Sequence, residues 1–185
     1  MHIVLVGLPG SGKSTVGKQL AKRLSLPFVD SDHVIEQHLS CSIRTFFERE
    51  GEESFRNVEQ MVLDRLTKGE SCVLSTGGGS VLRFVNRQNL RQGGWVVYLW
   101  STPEEVFRRL RYDKSRPLLQ VANPLTYLRK LYVERDPLYR ETAHVVIKTG
   151  RPSVVTLVDT IVMQLQLMGY VPSVGLLPNL SSPPR

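Results

Sequence analysis

The sequence predicts an α/β protein built on a parallel sheet with helices packed around it. Five short apolar runs alternate with longer polar segments whose apolar residues recur three and four positions apart. Because parallel strands are joined by crossovers that usually contain a helix, this alternation favours a parallel sheet. The length of 185 residues, with 41% hydrophobic and 22% charged residues, is typical of one globular domain and excludes disorder throughout the chain.

The predicted strands are separated by segments long enough for a helix. The strands are residues 3–6, 27–29, 72–75, 95–100 and 144–147. Between the second and third strands, Val58, Met61 and Val62 have the spacing of one helix face. Ligands of such sheets bind beyond the carboxyl ends of the strands, so the residues that follow each strand are the functional candidates.

Two segments lack this pattern. Residues 112–124 are polar, contain Pro117 and Pro124 and interrupt two helical stretches, so we expect a mobile loop there. Residues 169–185 are rich in proline, serine and glycine and carry almost no charge. We therefore expect one domain over residues 1–168, followed by a disordered tail.

The segment after the first strand has the sequence of a phosphate-binding loop. Residues 7–15, Gly-Leu-Pro-Gly-Ser-Gly-Lys-Ser-Thr, match the pattern G-x-x-x-x-G-K-[ST] between an apolar strand and an amphipathic helix. Lys13 can reach the β- and γ-phosphates, and the Ser14 hydroxyl can ligate Mg²⁺. The nucleotide-binding residues predicted here are Gly10, Ser11, Gly12, Lys13, Ser14 and Thr15. A glycine-rich turn without a ligand is the alternative, and GTPases, ATPases and small-molecule kinases share the motif.

Carboxylates and glycines follow the next two strands. Asp30 and Asp32, two apart on an extended segment, would face the same side, where one could serve Mg²⁺ and the other an acceptor hydroxyl. The alternative is that Asp32 caps the following helix. Gly77, Gly78 and Gly79 could bring backbone N–H groups to a ligand, or form a plain turn.

Three arginines are candidates for binding an anionic substrate. The guanidinium groups of Arg56, Arg116 and Arg135 could each bind a carboxylate of the substrate, or be ordinary surface charges. Glu53 and Glu59 stand three residues before and after Arg56, which is the spacing of helical ion pairs.

Together these residues resemble the shikimate kinase family, which belongs to the P-loop kinases related to nucleoside monophosphate kinases. The matching features follow in order along residues 1–168. They are the phosphate loop, the Asp-Ser-Asp-x-x-Ile-Glu segment at 30–36, the stretch 43–59, the glycines at 77–79, the Arg-Pro-Leu-Leu run at 116–119, and Arg135 with the Pro-Leu-Tyr run at 137–139. The resemblance implies a three-layer P-loop kinase fold, with a five-stranded parallel sheet in the order 2-3-1-4-5 and a mobile lid at about 112–124.

The resemblance also implies a reaction, which is phosphorylation of the 3-hydroxyl of shikimate by ATP on the route to chorismate and the aromatic amino acids. Mg²⁺ is the implied cofactor, held by Ser14 and, through water, by Asp30. The implied catalytic residues are Lys13, Asp32 and Arg116. Among them, Asp32 would act as the base and Arg116, carried on the lid, would stabilise the transferred phosphoryl group.

Binding roles follow from the same resemblance. The implied acceptor-binding residues are Asp32, Arg56, Gly77, Gly78, Gly79, Arg135, Phe47 and Phe55. For the two phenylalanines, core packing is the alternative. Glu59 would orient Arg56 from behind the pocket. The implied nucleotide-binding residues beyond the phosphate loop are Arg109, Arg116, Arg151 and Pro152.

Two other hypotheses stay open. One is another small-molecule kinase of the same fold, acting on gluconate or a nucleoside monophosphate. The other is a nucleotide-dependent regulator or RNA binder without catalysis, which the loss of Lys13, Asp32 or Arg116 would favour. All three residues are present.

Composition excludes several other classes of protein. The net charge is +7, but the basic residues form no run of five or six, so the charge pattern does not favour nucleic acid as a partner. The partners that the resemblance implies are ATP and shikimate. No apolar run approaches the ~18 residues of a membrane span. Two distant cysteines, Cys41 and Cys72, exclude a disulfide scaffold and a four-cysteine zinc site. A strand predicted almost at the first residue leaves no room for a targeting segment, and we expect a cytoplasmic monomer.

Overall fold

The sheet has the predicted topology. A computed structural model describes residues 1–112 and 121–170. The strands are β1 (His2–Val6), β2 (Phe28–Asp30), β3 (Val73–Ser75), β4 (Gly94–Trp100) and β5 (Val145–Lys148). They pair in parallel in the order β2-β3-β1-β4-β5, which confirms the predicted fold class, and every strand end lies within one residue of its prediction.

Helices connect the strands and cover both faces of the sheet. They are α1 (Lys13–Leu24), α2 (Ser31–Leu39), α3 (Ile43–Lys68), α4 (Phe84–Gly93), α5 (Pro103–Leu110), α6 (Pro124–Thr142) and α7 (Val154–Leu167). Three of these helices have a side-chain N-cap, which accepts hydrogen bonding from the N–H groups of the first turn. The caps are Asp30 before α2, Ser42 before α3 and Thr102 before α5.

Two apolar cores occupy the two faces of the sheet. In β4, Trp95, Val97 and Leu99 pack with α1 and α7 on one face, while Val96 and Tyr98 pack with α5 and α6 on the other. Burial on both faces is typical of a parallel sheet. The carboxyl ends of β1, β2 and β3 consequently meet at one edge, where the candidate residues are expected.

The predicted lid and tail lie largely outside the described residues, since these exclude 113–120 and 171–185. Both remain predictions. Cys41 and Cys72 are unpaired, as predicted. Within the two described ranges, no helix combines the length and the apolar character that crossing a bilayer requires.

Candidate active site

The phosphate loop runs from the end of β1 into α1. Gly10 and Gly12 have φ angles of 78° and 94°, which glycine adopts without steric penalty. Gly12 is the N-cap of α1 and has no side chain to accept hydrogen bonds from the first turn, which leaves those N–H groups to a phosphate. The Nζ of Lys13 donates to the carbonyl oxygens of Gly7 and Leu8, both at 2.8 Å, which holds its ammonium group over the loop.

A cavity of about 320 Å³ connects this loop to the carboxyl ends of β2 and β3. Its walls are formed by Pro9, Gly10, Gly12, Lys13, Ser14, Thr15, Asp30, Asp32, Ser75, Thr76, Gly77 and Gly78. Residues predicted separately for nucleotide, Mg²⁺ and acceptor therefore line one space. Its size suits a small acceptor beside a phosphate chain.

Asp30 contacts both the phosphate loop and α2. Its Oδ2 accepts a hydrogen bond from the Ser14 hydroxyl at 3.1 Å, and its Oδ1 accepts from the backbone N–H groups of Asp32 at 2.9 Å and His33 at 3.4 Å. Asp30 therefore caps α2, and the alternative that Asp32 is the cap is wrong. The prediction of one extended segment is also wrong, because α2 begins at Ser31 and carries Asp32 on its first turn.

The Ser14 hydroxyl and the Asp30 carboxylate suit Mg²⁺. Both are hard oxygen ligands, and Mg²⁺ is usually held by one or two such groups together with water and nucleotide phosphates. Among the described residues, no group of three or more His, Cys, Asp or Glu side chains is placed to hold a metal alone. Two protein oxygen ligands of this kind suit a Mg²⁺ ion that binds as a complex with the nucleotide phosphates.

Asp32 lies against the glycines that follow β3. A Cβ atom on Gly77 would lie 2.6 Å from Asp32 Oδ1, so this position has no space for a side chain. Burial raises the pKa of Asp32 to about 6, and the negative charges of Asp30 and Glu59 act in the same direction. The Lys13 cation opposes them. At neutral pH the carboxylate is ionised but more basic than an ordinary aspartate, which suits a proton acceptor.

A hydrogen-bonded chain of Arg56, Glu59 and Ser80 stands behind Gly79. Arg56 Nη1 donates to Glu59 Oε1 at 2.9 Å, and the Ser80 hydroxyl donates to Glu59 Oε2 at 3.3 Å. The side chain of Glu59 is 1% exposed and that of Arg56 12%, so the pair is shielded from water. A Cβ atom on Gly79 would lie 2.5 Å from both terminal nitrogens of Arg56, so the guanidinium occupies the space beside Gly79 that a side chain would need.

Arg135 approaches the same glycines from α6. A Cβ atom on Gly78 would lie 3.3 Å from Arg135 Nη1 and 2.8 Å from Pro9 Cδ. The Tyr139 hydroxyl, one helical turn beyond Arg135, donates to the Gly78 carbonyl at 2.6 Å. Arg56 and Arg135 thus face consecutive glycines from opposite elements, an arrangement in which two guanidinium groups can grip one carboxylate.

Phe47 and Phe55 pack together beneath this region. Their ring centroids are 4.7 Å apart, and Phe55 belongs to the apolar core between α2 and α3 with Ile35 and Val62. The guanidinium carbon of Arg56 lies 5.1 Å from the Phe55 ring centroid. Core packing is confirmed for Phe55, and the contact of both rings with an acceptor stays a prediction.

A second cavity, of about 480 Å³, lies beside the start of α7. It is lined by Glu105, Lys148, Thr149, Arg151 and Pro152. Arg109 connects it to the phosphate loop, since its guanidinium donates to the Gly10 carbonyl and to the Thr149 hydroxyl, each at 3.3 Å. The predicted nucleotide residues Arg109, Arg151 and Pro152 therefore gather on one side of the phosphate loop.

Two residues of the site were not predicted as such, and one predicted residue falls outside the described ranges. Ser80 follows the glycine triplet directly, and Tyr139 stands four residues after Arg135, a helical spacing that could have indicated a shared face. Tyr139 entered the sequence analysis only as part of the Pro-Leu-Tyr run. Arg116 lies outside the described residues, so its role stays a prediction.

Comparison with known proteins agrees with this geometry. Residues 9–166 match the family model of shikimate kinase. The chain is 58% identical to a shikimate kinase of Paracidovorax citrulli, an alignment that covers 93% of this chain and 96% of that protein. It is 49% identical to a shikimate kinase of Ralstonia nicotianae, over 92% of this chain and 90% of the other.

Solved structures agree as well. The shikimate kinase from Acinetobacter baumannii in complex with shikimate superposes with a TM-score of 0.84 at 47% identity, covering 91% of this chain and 93% of that one. A gluconokinase from Sinorhizobium meliloti reaches a TM-score of 0.57 at 18% identity, which shows a shared fold and nothing more. The match of the family model over most of the chain, together with relatives of 49–58% identity, shows that this chain belongs to the shikimate kinase family.

Proposed function

We propose that this protein transfers the γ-phosphoryl group of ATP to the 3-hydroxyl of shikimate, giving shikimate 3-phosphate and ADP. The observation that carries the proposal is one cavity lined by the phosphate loop, Asp32, Gly77 and Gly78. Arg135 lies beside Gly78, and Arg56 lies beside the adjoining Gly79. A kinase needs its acceptor hydroxyl beside the phosphate chain, and an acidic cyclohexene acceptor needs cations at its far end. Both requirements are met at one edge of the sheet.

The nucleotide half of the site consists of N–H donors and cations. The N-terminal end of α1 carries partial positive charge toward the phosphates, and Lys13 adds a full charge on the same loop. We propose that Ser14 and, through water, Asp30 hold Mg²⁺, which when bound neutralises phosphate charge. Arg109, Arg151 and Pro152 would border the nucleoside.

In the acceptor half, different residues would bind the substrate and assist the reaction. The Arg56 and Arg135 guanidinium groups would bind the shikimate carboxylate and fix the orientation of the ring. Asp32, at the phosphate-loop side of the cavity, would align the 3-hydroxyl and take its proton as the new bond to phosphorus forms. Because phosphoryl transfer has a loose transition state, this alignment contributes more to the rate than strong basicity does.

The direct test is ADP release from Mg·ATP with shikimate, gluconate, AMP, CMP or no acceptor in parallel reactions. We expect release with shikimate alone. Release with gluconate or a nucleoside monophosphate would reassign the acceptor half of the site. Nucleotide binding without release under any acceptor would favour the regulator hypothesis.

Two variants locate the acceptor within the site. Arg56→Ala should raise the KM for shikimate by roughly 10- to 100-fold, because it removes a charge-assisted pair with the carboxylate. Arg44→Ala is the matched control, since this arginine lies on the same helix and pairs with Glu48 at an exposed position. An unchanged shikimate KM in Arg56→Ala would contradict the carboxylate role.

Monomeric state, cytoplasmic location and the absence of a nucleic-acid partner remain predictions. Light scattering of the purified protein measures the first. Retention on immobilised RNA at low and at high ionic strength tests for a nucleic-acid partner, because binding to the phosphate backbone weakens steeply with salt.

A further inference from the structure

The hydroxyl of Tyr139 lies at the junction of two acceptor-binding elements. Tyr139 is fully buried on α6, and its hydroxyl donates to the Gly78 carbonyl at 2.6 Å. Arg135 stands one helical turn earlier on the same helix, and its Nη1 would lie 3.3 Å from a Cβ atom on Gly78. One phenol therefore meets both the backbone and the side chain that face the carboxylate site.

The hydroxyl also interacts with Arg135 itself. Burial raises the pKa of Tyr139, while the charge of Arg135 and a hydrogen bond from it partly oppose that rise. The phenol thus stays protonated at neutral pH. It donates its proton to the Gly78 carbonyl, and the positive charge of Arg135 stands nearby.

The ring of Tyr139 cannot move easily. Its centroid lies 5.0 Å from that of Tyr98 on the central strand β4, and the Tyr98 hydroxyl donates to Asp136 Oδ1 at 2.7 Å. The two rings are tilted by 37°, and aromatic rings in contact within a closely packed core have little room for alternative rotamers. The position of the Tyr139 hydroxyl is therefore set by the sheet.

On the other side, Gly78 rests on the phosphate loop. A Cβ atom on Gly78 would lie 2.8 Å from Pro9 Cδ, so the Gly78 backbone is confined between Pro9 and the Arg135 guanidinium. The hydrogen bond from the Tyr139 hydroxyl fixes the orientation of the Gly78 carbonyl. Without that bond, the Gly78 backbone beside Arg135 is free to change its orientation.

We propose that Tyr139 is a positioning residue for the acceptor carboxylate, whose hydroxyl holds the Gly78 backbone and Arg135 in the geometry that binds it. The inference rests on the proposed function, because the carboxylate is that of shikimate. The Tyr139 hydroxyl bonds to the Gly78 carbonyl, on the side of the cavity assigned to the acceptor, so its removal should affect acceptor binding and spare the chemical step.

The test compares Tyr139→Phe with Tyr98→Phe. The second variant removes the hydroxyl of the neighbouring tyrosine, which is also fully buried. Tyr139→Phe should raise the KM for shikimate about 5- to 10-fold, the loss expected for one buried hydrogen bond, with kcat and the KM for ATP within about twofold of wild type. Tyr98→Phe should lower the thermal stability and leave the shikimate KM within about twofold.

A second substrate identifies the carboxylate as the group affected. With the analogue of shikimate whose carboxylate is replaced by hydroxymethyl, wild type and Tyr139→Phe should have the same kcat/KM. Should Tyr139→Phe fail to fold, 4-fluorophenylalanine at position 139 fills the volume of the hydroxyl without donating a hydrogen bond, and it should give the same rise in KM.

The outcomes separate the two proposals. If wild type releases no ADP with shikimate, the proposed function fails and this inference fails with it. If wild type is active but Tyr139→Phe keeps a wild-type shikimate KM, or loses kcat as strongly as affinity, the positioning role alone is overturned. An equal rise in the shikimate KM in Tyr98→Phe would also overturn the positioning role, because the effect would then come from disturbed packing of the two tyrosine rings.

Discussion

Ionisation of the Asp32 carboxylate destabilises the folded protein. Its carboxylate is withdrawn from water, and Asp30 and Glu59 place further negative charge around it, so the pKa rises from 3.8 to about 6. The same features that make the carboxylate basic oppose its ionisation in the folded state. In the unfolded chain the carboxylate regains water and loses these neighbours, so ionisation favours unfolding.

Asp32→Asn should therefore stabilise the protein without ligands while abolishing most turnover. The folded-state pKa lies above the unfolded value, so stability is lost as the pH rises from about 4 through 6, and above that range the loss reaches roughly 3 kcal/mol at most. We expect Tm of the variant to exceed that of wild type by ~5 °C at pH 7.5 and to match it near pH 4. Thermal unfolding in the absence of nucleotide and Mg²⁺ measures both.

The control for this prediction is Asp159→Asn. The Asp159 side chain is 60% exposed and its closest approach to Arg23 is 4.0 Å, so no gain that depends on pH is expected. A gain in Asp32→Asn that is equal at pH 4 and pH 7.5 would show that ionisation is not its cause. In the kinase assay, near-normal turnover of Asp32→Asn would contradict the proposed role as base.

At the scale of single elements, helix α3 shows that sequence spacing indicates some ion pairs correctly and others wrongly. The sequence spacing predicts ion pairs of Arg56 with Glu53 and Glu59, but only the pair with Glu59 forms. Glu53 pairs instead with Arg83, at 2.9 Å. Arg83 is thirty positions away, and no spacing on one helix can indicate such a contact.

Glu59→Ala should weaken acceptor binding through Arg56. The substitution removes the carboxylate that accepts from Arg56 and Ser80, and it leaves the largely shielded guanidinium with only the exposed Glu52, at 3.5 Å, as a carboxylate partner. We expect the shikimate KM to rise roughly 10-fold or more, and the free energy of unfolding to fall by about 3 kcal/mol, as for a broken buried pair. Steady-state kinetics at varied shikimate concentration and denaturant unfolding measure the two effects.

Glu53→Ala is the matched control on the same helix. Its carboxylate side chain is 88% exposed, so loss of the pair with Arg83 should change the free energy of unfolding by less than about 1 kcal/mol. If both variants affect shikimate binding equally, general damage to α3 is the cause and the orienting role of Glu59 is wrong.

The limits of sequence-based prediction are also visible in α3. Periodicity indicates a helix around Val58 and Val62, and the helix is present. Gly51 interrupts it with φ of 83°, yet a Cβ atom there would meet nothing within 4 Å. The kink therefore comes from backbone conformation rather than packing, and apolar spacing carries no information about it.

At the scale of the whole molecule, the fold could be predicted because its signals are local and repeated. Each strand is a short apolar run followed by a helical stretch, and the phosphate loop marks the first crossover. The site was predictable where a residue type and a sheet edge coincide, as at Lys13 and Asp32. Ser80 and Tyr139 were missed because they act through other residues, and their partners are known only once α3, α6 and the glycine loop are in contact.

The boundary of the folded domain gives the last prediction. Helix α7 ends at Leu167, and Leu157, Ile161 and Leu165 bury its inner face against the sheet. A chain that ends at Tyr170 should therefore keep kcat and both KM values within about twofold of the full chain and Tm within ~2 °C, since every described element and the matched family segment are retained.

A chain that ends at Ser153 is the control for that boundary. It loses the inner face of α7, and each buried aliphatic side chain contributes about 1.5–3 kcal/mol, so the loss is comparable to the ~5–15 kcal/mol that stabilise a whole domain. We expect this shorter chain to lack a cooperative thermal transition. Loss of activity or of several degrees in Tm on removing residues 171–185 alone would contradict the predicted domain boundary and would assign those residues a part in folding or catalysis.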